Sequence, residues 1–396
     1  MKINDKYIII GVYLVVLLIT VSYAIFKQVI TSDQIIEYQL YTEYIKTGIW
    51  SFHVENIVNS CLLVTYIPAV IQRITHINAE LLFKVFPCLF YSLMPTFTYL
   101  TSRRYTGKIY SLLTVCIVLS SFFFLYNPAI GRVGEALGFM TVMIWGVTAK
   151  RFPIVLIAGL LLVISHYATM MLGIGLLSVA WLSYIIARKW GREFIAFSVV
   201  LLLIASSAYV WHWQIAKISG EYIGGFIQSS TLSLSTITNP DAKPNEEYGL
   251  FPNAEYGFLS LESRDPVIQT AFGKNFLSMN IPQKMELALS WFIVLLISLG
   301  LIYSIRKKIL THTYSAMILF AYTAVSLSVI IPYVGWYYGA VRAYFSCLPV
   351  LAPVASIMVA GIFKKNRTGE WLLSAMLLLH ALCVAGVIHR LFGIIK

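Results

Sequence analysis

Five polar positions stand out in an otherwise apolar chain of 396 residues: Asp33, Arg132, Glu135, His166 and Arg342. Asp33 lies in Thr-Ser-Asp-Gln-Ile-Ile-Glu-Tyr and leads a series, Asp33, Glu37, Tyr41, Tyr44, Gly48, whose spacing puts an acid and several tyrosines on one helical face. Such an acid can cap the helix N-terminus, with Ser32 as the rival cap, or serve as a general base at a bilayer surface. Arg132 and Glu135 are three apart and share a face, so they can form a surface ion pair. Glu135, however, falls in an apolar run, where a charge costs several kcal/mol unless partnered; that makes it a functional candidate. His166 sits between two apolar arms, as a satisfied structural imidazole or as a pocket group beside Tyr167. Arg342, in Trp336-Tyr-Tyr-Gly-Ala-Val-Arg342, can anchor a helix at the interface or clamp a phosphate with its planar fork. Lys84 can snorkel or join that phosphate.

The elements that must position these groups are membrane helices. The chain is 59% hydrophobic and 12% charged, with mean hydropathy +0.79, whereas soluble domains carry about 25% charged residues. Apolar runs of helix-spanning length recur, and the weak alternation of a β-barrel is not seen. Eleven spans are expected, near 7–26, 80–101, 108–126, 133–149, 152–165, 167–187, 193–213, 286–304, 311–331, 343–363 and 370–389. The loops at one end then hold sixteen of the 29 Lys and Arg but three of the 17 Asp and Glu. The positive-inside rule makes that end, with the N-terminus, cytoplasmic. The net charge of +12 therefore reflects topology and gives no reason to expect nucleic acid as a partner.

Parity settles two ambiguous segments. Ser60–Ile71 is short and carries Pro68, so it is read as a re-entrant or interfacial helix on the outer side. Phe152–Ala187 has basic flanks at both ends, so it crosses twice and turns at Ser165-His166-Tyr167 inside an outer cavity. The expected architecture is one all-α polytopic membrane domain over residues 1–396. A first outer loop (27–79) carries juxtamembrane helices. A long outer segment (214–285) is expected to combine interfacial helices near Tyr222–Ile227 with a mobile part near Thr236–Glu247. Five cysteines without metal or disulfide spacing read as small core hydrophobes.

Nucleotide-binding loops, HExxH and DxD motifs are absent from the sequence. If the group transferred at the outer face is a sugar, its donor must be lipid-linked, because nucleotide sugars are a cytoplasmic currency. Cations at Arg132, Arg342 and Lys84 would stabilise the leaving phosphate, and Asp33 would deprotonate the acceptor hydroxyl.

From Asp33 to about Ala360 the chain resembles the C-type (GT-C) polytopic glycosyltransferases that use polyprenyl-phosphate sugars. Its strings Glu43-Tyr-Ile-Lys-Thr-Gly-Ile-Trp50, Tyr66-Ile-Pro68, Leu82-Phe-Lys84-Val-Phe-Pro87, Gly131-Arg132-Val-Gly-Glu135 and Ser165-His166-Tyr167-Ala-Thr169 are similar to a little-characterised, largely archaeal branch. The resemblance implies that Asp33 is the catalytic acid. It also implies that Arg342, ahead of Leu348-Pro-Val-Leu-Ala-Pro, contacts donor phosphate. Glu135 would orient Arg132, and His166, Tyr167 and Glu37 would shape the pocket. The chain departs from many relatives in following Asp33 with Gln34 rather than a second acid, and in lacking the further acidic motifs of metal-dependent members. No cofactor is therefore expected to be required, with a divalent metal as the open alternative. Many relatives end in a soluble outer domain; here acceptor recognition is expected to rest on 214–285.

These readings lead to an inverting glycosyltransferase of the cytoplasmic membrane with its active site on the outer face. Its expected partners are a polyprenyl-phosphate-linked sugar, a glycan, lipid or protein acceptor, and membrane lipids. The rivals are a transporter or flippase, a polymerase or ligase of lipid-linked glycans, and a non-catalytic scaffold.

Overall fold

The computed structural model describes residues 4–26, 32–51, 57–121, 124, 131–217, 231, 275–330, 340–363 and 367–384. Among these residues no strand occurs. Helix α1 spans Asp5–Phe26 and α2 Ser32–Thr47; a 3-10 turn at Ile57–Ser60 leads into α3, Tyr66–Thr75. Then come α4 (Ala79–Tyr91), α5 (Leu93–Ser102), α6 (Lys108–Leu119), α7 (Gly131–Thr148), α8 (Phe152–Val163), α9 (Tyr167–Ile186) and α10 (Arg192–Tyr209), which runs into a π turn at Val210–Ile215. The remainder is α11 (Ile281–Arg306), α12 (His312–Ile330), α13 (Ala340–Ile362) and α14 (Arg367–Val384). Each of the eleven expected spans coincides with one or two of these helices. By length and composition seven are long and apolar enough to cross a membrane, α4 with α5 counting as one. The long expected segment 214–285 lies largely outside the described residues.

Local chemistry accounts for the breaks. The expected span 80–101 divides at Ser92, because Pro95 has no N–H to give the Tyr91 carbonyl. Asn78 caps α4 by accepting from the Leu81 N–H at 2.9 Å. Asn280 and Gln283 form a reciprocal capping box at α11. Gly48 ends α2 in the left-handed region, and its N–H closes on the Tyr44 carbonyl at 2.9 Å.

Helix α7 packs on α4, α5 and α8; α9 packs on α12; α13 is enclosed by α11, α12, α5 and α6. Two of these crossings are close enough to exclude a methyl group. A Cβ on Gly138 would land on the Phe90 carbonyl of α4, and one on Gly300 on the Val354 carbonyl of α13. Small residues let membrane helices approach in this way, since lipid offers no hydrophobic drive to bring them together.

The two ends of the bundle differ. At one end the basic loops meet. Asp5 bonds Arg103 (3.3 Å) and Lys108 (3.1 Å), Tyr105 meets Thr311 (3.3 Å), and Tyr110 donates to the Phe363 carbonyl (3.4 Å). Lys150 pairs with Glu193 at 2.8 Å, and Lys189 lies 3.5 Å from His312. All six loops singled out in the sequence are thereby tied to one face. The opposite end carries α2, the 3-10 turn and α3, packed through Tyr41, Tyr44, Val58, Val64 and Phe83.

We expect Gly138→Ala to lower the thermal unfolding midpoint of the detergent-solubilised protein, at an overpacking cost of about 1–3 kcal/mol or more. Gly11→Ala, with no atom within 4 Å of the new methyl, should leave the midpoint unchanged or raise it. Equal behaviour of the two variants would contradict the close α4–α7 crossing.

Candidate functional site

Of the polar groups singled out in the sequence, Glu37, Arg132, Glu135 and His166 are buried at the end of the bundle where α2 meets the first turn of α7. Helix α2 forms as the spacing predicts, and its Glu37, Tyr41 and Tyr44 are buried. Arg132, in the first turn of α7, donates from Nη1 to Glu37 Oε1 at 2.6 Å, with both side chains enclosed. Gly131 makes room for this contact: a Cβ there would meet Val64, Pro87 and the Glu37 carboxylate. An enclosed charge pair of this kind holds only while both partners are present; removing one leaves a stranded charge.

This arrangement corrects the expectation that Glu135 orients Arg132. Arg132 sits at the helix end and reaches outward to α2, while Glu135 lies almost one turn deeper in the packed bundle. Glu135 is fully buried, and neither carboxylate oxygen has a hydrogen-bond partner among the described residues. It is within electrostatic reach of Glu37, Cys61 and Cys88. Sharing a face on one helix did not pair the two residues, because α2 supplied a closer carboxylate.

Asp33 is the second residue of α2. It stands four residues before Glu37, about 6 Å along the axis on the same helical face; its side chain lies outside the described part. Lys84 is bound to Glu80 one turn earlier at 2.6 Å, so the structure engages it there and not at the Arg132 pair. Arg342 falls inside the first turn of α13 rather than ahead of it, and is exposed. Its charge is felt at His166 together with that of Arg132, which places both arginines at the same end.

His166 occupies the expected turn between α8 and α9 and is buried. It caps α9: Nδ1 accepts from the Thr169 N–H at 3.4 Å and lies 2.8 Å from the Thr169 hydroxyl. The neutral tautomer consistent with this bond carries its proton on Nε2. Burial, then the charges of Arg132, Arg342 and His212, hold its pKa well below the ordinary histidine value. Tyr167 leans on the imidazole with ring centroids 4.7 Å apart. Helix α8 rises only about 18 Å, short of the hydrocarbon thickness of about 30 Å. The turn is therefore reached within the bundle, and the lead-in to α3 fills the space above it, with Leu63 N–H on the Ile164 carbonyl at 3.4 Å.

Asn59, Trp211 and His212, which help to build this end, were not singled out in the sequence. Trp50 and Trp211 stack at 5.3 Å. Their indole N–H groups donate to the carbonyls of Asn59 (3.2 Å) and Ser60 (3.1 Å), pinning the 3-10 turn against the π turn after α10. Tyr44 donates to the Asn59 side chain, whose Nδ2 donates to the Ser51 carbonyl at 2.8 Å. His212 is 2.9 Å from the Val163 carbonyl. The run Trp211-His212-Trp213 at the end of an apolar span was the available signal, as an interfacial aromatic cluster. Among the described residues no group of three or more His, Cys, Asp or Glu is placed to hold a metal.

Two outcomes follow. Glu37→Ala should destabilise the protein by roughly 3–5 kcal/mol, and adding Arg132→Met to Glu37→Ala should recover part of that loss in a double-mutant cycle; additive single effects would contradict the buried pair. His166→Asn should keep the α9 cap, whereas His166→Ala should cost about 1 kcal/mol. Since the folded protein holds His166 neutral while the unfolded chain takes up a proton near pH 6.5, its contribution to stability is complete above that pH and declines as pH falls below it. The melting midpoint of His166→Asn should accordingly depend less on pH between 6.5 and 5 than that of the wild type.

No family model matches the chain, and no curated protein matches it. Solved structures do. ArnT from Cupriavidus metallidurans, in a crystal structure bound to undecaprenyl phosphate, aligns with 98% of this chain at a TM-score of 0.54 and 14% identity. The Archaeoglobus fulgidus oligosaccharyltransferase tethered to an acceptor peptide aligns with 96% of it at 0.49 and 14%. The chain spans 66% of the length of ArnT and 54% of that oligosaccharyltransferase. At such identity the likeness is one of fold alone: among its described residues the chain is all-helical, with several helices long and apolar enough to cross a membrane, and it shares its fold with ArnT.

Proposed function

We propose that this protein transfers a sugar from a polyprenyl-phosphate-linked donor to a glycan, lipid or protein acceptor at the membrane face opposite the basic loops. The observation that carries the proposal is the gathering of Glu37, Arg132, Glu135 and His166, all buried, at that end of the bundle. The fold it shares with ArnT, whose structure holds undecaprenyl phosphate, supports the choice of donor. By the positive-inside rule the basic loops and the N-terminus are cytoplasmic, so the reaction takes place on the outer face of the cytoplasmic membrane.

In this reading the Asp33 carboxylate takes the proton from the acceptor hydroxyl. The acceptor oxygen bonds to the anomeric carbon from the face opposite the phosphate. The bond from that carbon to the phosphate oxygen breaks, its electron pair leaves with the lipid phosphate, and the configuration inverts. Arg342, exposed at the start of α13, meets the phosphate first. Arg132, fixed by Glu37, supplies a preorganised positive charge behind it. Lys84 adds its charge where it gives up Glu80. The neutral His166, Tyr167 and Glu135 line the pocket, and the aromatic face of Tyr167 suits a sugar ring. Residues 214–285 select the acceptor. The step as written balances without a metal, and transfer measured with a chelator and with added Mg²⁺ or Mn²⁺ decides whether one is used.

Membranes carrying Asp33→Asn at wild-type protein levels should lose transfer by about 10²–10⁴-fold, as expected for a removed general base, and should accumulate lipid-linked donor. Arg342→Ala should weaken the use of donor. Full transfer in Asp33→Asn would remove Asp33 as the base. Full transfer in both variants would turn the reading to a transporter or a scaffold.

A further inference from the structure

We propose a second binding site, at the basic end of the bundle, for the headgroup of an anionic phospholipid. Between α11 and α12 lies a cavity of about 390 Å³ bordered by Ser304, Ile305, Lys308, Leu310, His312 and Leu319. Its polar side holds two groups that no described residue satisfies. Ser304 is fully buried, and its hydroxyl has no hydrogen-bond partner among the described residues. Ser298, on the same helix α11, by contrast bonds back to the Val294 carbonyl four residues earlier at 2.9 Å. The His312 Nε2 is likewise buried without a hydrogen-bond partner among the described residues. Buried polar atoms left in this state are costly unless a ligand or water completes them.

The surrounding charge is positive. Lys189 Nζ lies 3.5 Å from His312 Nδ1. The charges felt at His312 are those of Lys189 and Lys150, the latter also bonded to Glu193 at 2.8 Å. Lys308 borders the cavity, is exposed, and makes no ion pair among the described residues. The opposite wall is apolar, with Ile305 and Leu319 exposed at the helix surface. A free phosphate would complete only the polar half. A phospholipid of the adjoining leaflet fills both: its phosphate meets Lys308, His312 and Ser304 while its chains run along Ile305 and Leu319. Basic pockets between membrane helices are suited to such headgroups. Topology alone explains cations in this loop, but it does not explain a cavity with two unsatisfied polar atoms beside them.

The test uses the purified full-length chain in detergent, with phosphatidylglycerol, phosphatidylcholine or inorganic phosphate added. Phosphatidylglycerol should raise the unfolding midpoint and remain bound in native mass spectra, while phosphatidylcholine and inorganic phosphate should not. Lys308→Gln combined with His312→Gln, and separately Ser304→Ala, should lose the phosphatidylglycerol-specific rise while unfolding near the wild-type midpoint without lipid. Lys6→Gln, a charge change elsewhere at the same end, should retain it. Equal shifts with both lipids, a full shift with inorganic phosphate alone, or an undiminished shift in the cavity variants would overturn the proposal.

Discussion

The ion pair between Arg132 and Glu37 governs the site end of this molecule. Neither charge can be enclosed alone, since an uncompensated ion in a packed apolar environment costs several kcal/mol. The first turn of α7 can therefore be buried only if α2 lies across it. Once α2 is there, Tyr41 reaches the Ala79 carbonyl at 3.0 Å and packs on Phe83. Tyr44 engages Asn59, and the two tryptophans hold the 3-10 turn down. Asp33 is carried to this place by the same helix, so the residue proposed as base and the arginine proposed to hold phosphate share one structural dependence.

The ends of the bundle solve different electrostatic problems. At the basic end, cations such as Lys150, Lys307 and Lys308 stay exposed, where water or lipid headgroups solvate them at little cost. At the site end, Glu37, Glu135, Arg132 and His166 are enclosed, and each needs a specific device. Glu37 and Arg132 have one another, and His166 remains neutral as a helix cap. Glu135 has no hydrogen-bonding device among the described residues. Buried polar groups that a fold retains in this way are expected where substrate charge must be met without reorganisation.

Helix length is the geometric counterpart. The short α8 brings the chain back at His166 before it reaches the far side, and the lead-in to α3 fills the resulting recess. A full-length α8 would leave no room for the Leu63–Ile164 contact or for His212 on Val163. The glycines at 138 and 300 serve the same economy of space by letting α4 meet α7, and α11 meet α13, at backbone distance.

Much of the fold was legible in the sequence. Apolar runs marked the helices, charge asymmetry grouped the loops that the structure indeed brings to one end, and the basic flanks of 152–187 required a turn at His166. The buried face of α2 followed from the spacing of Glu37, Tyr41 and Tyr44. These properties depend on short-range periodicity and on the cost of charge in lipid, which every segment carries by itself. The division of 80–101 at Ser92 was equally local, written in Pro95, but was passed over. What the sequence could not determine was partnership. Glu135 is three residues from Arg132 and Glu37 is 95 away, yet the arginine pairs with Glu37. Only the tertiary structure decided this, because the direction in which a long side chain reaches depends on which helix covers it. That packing is a property of the whole chain, set where burial makes one carboxylate available and leaves another too deep.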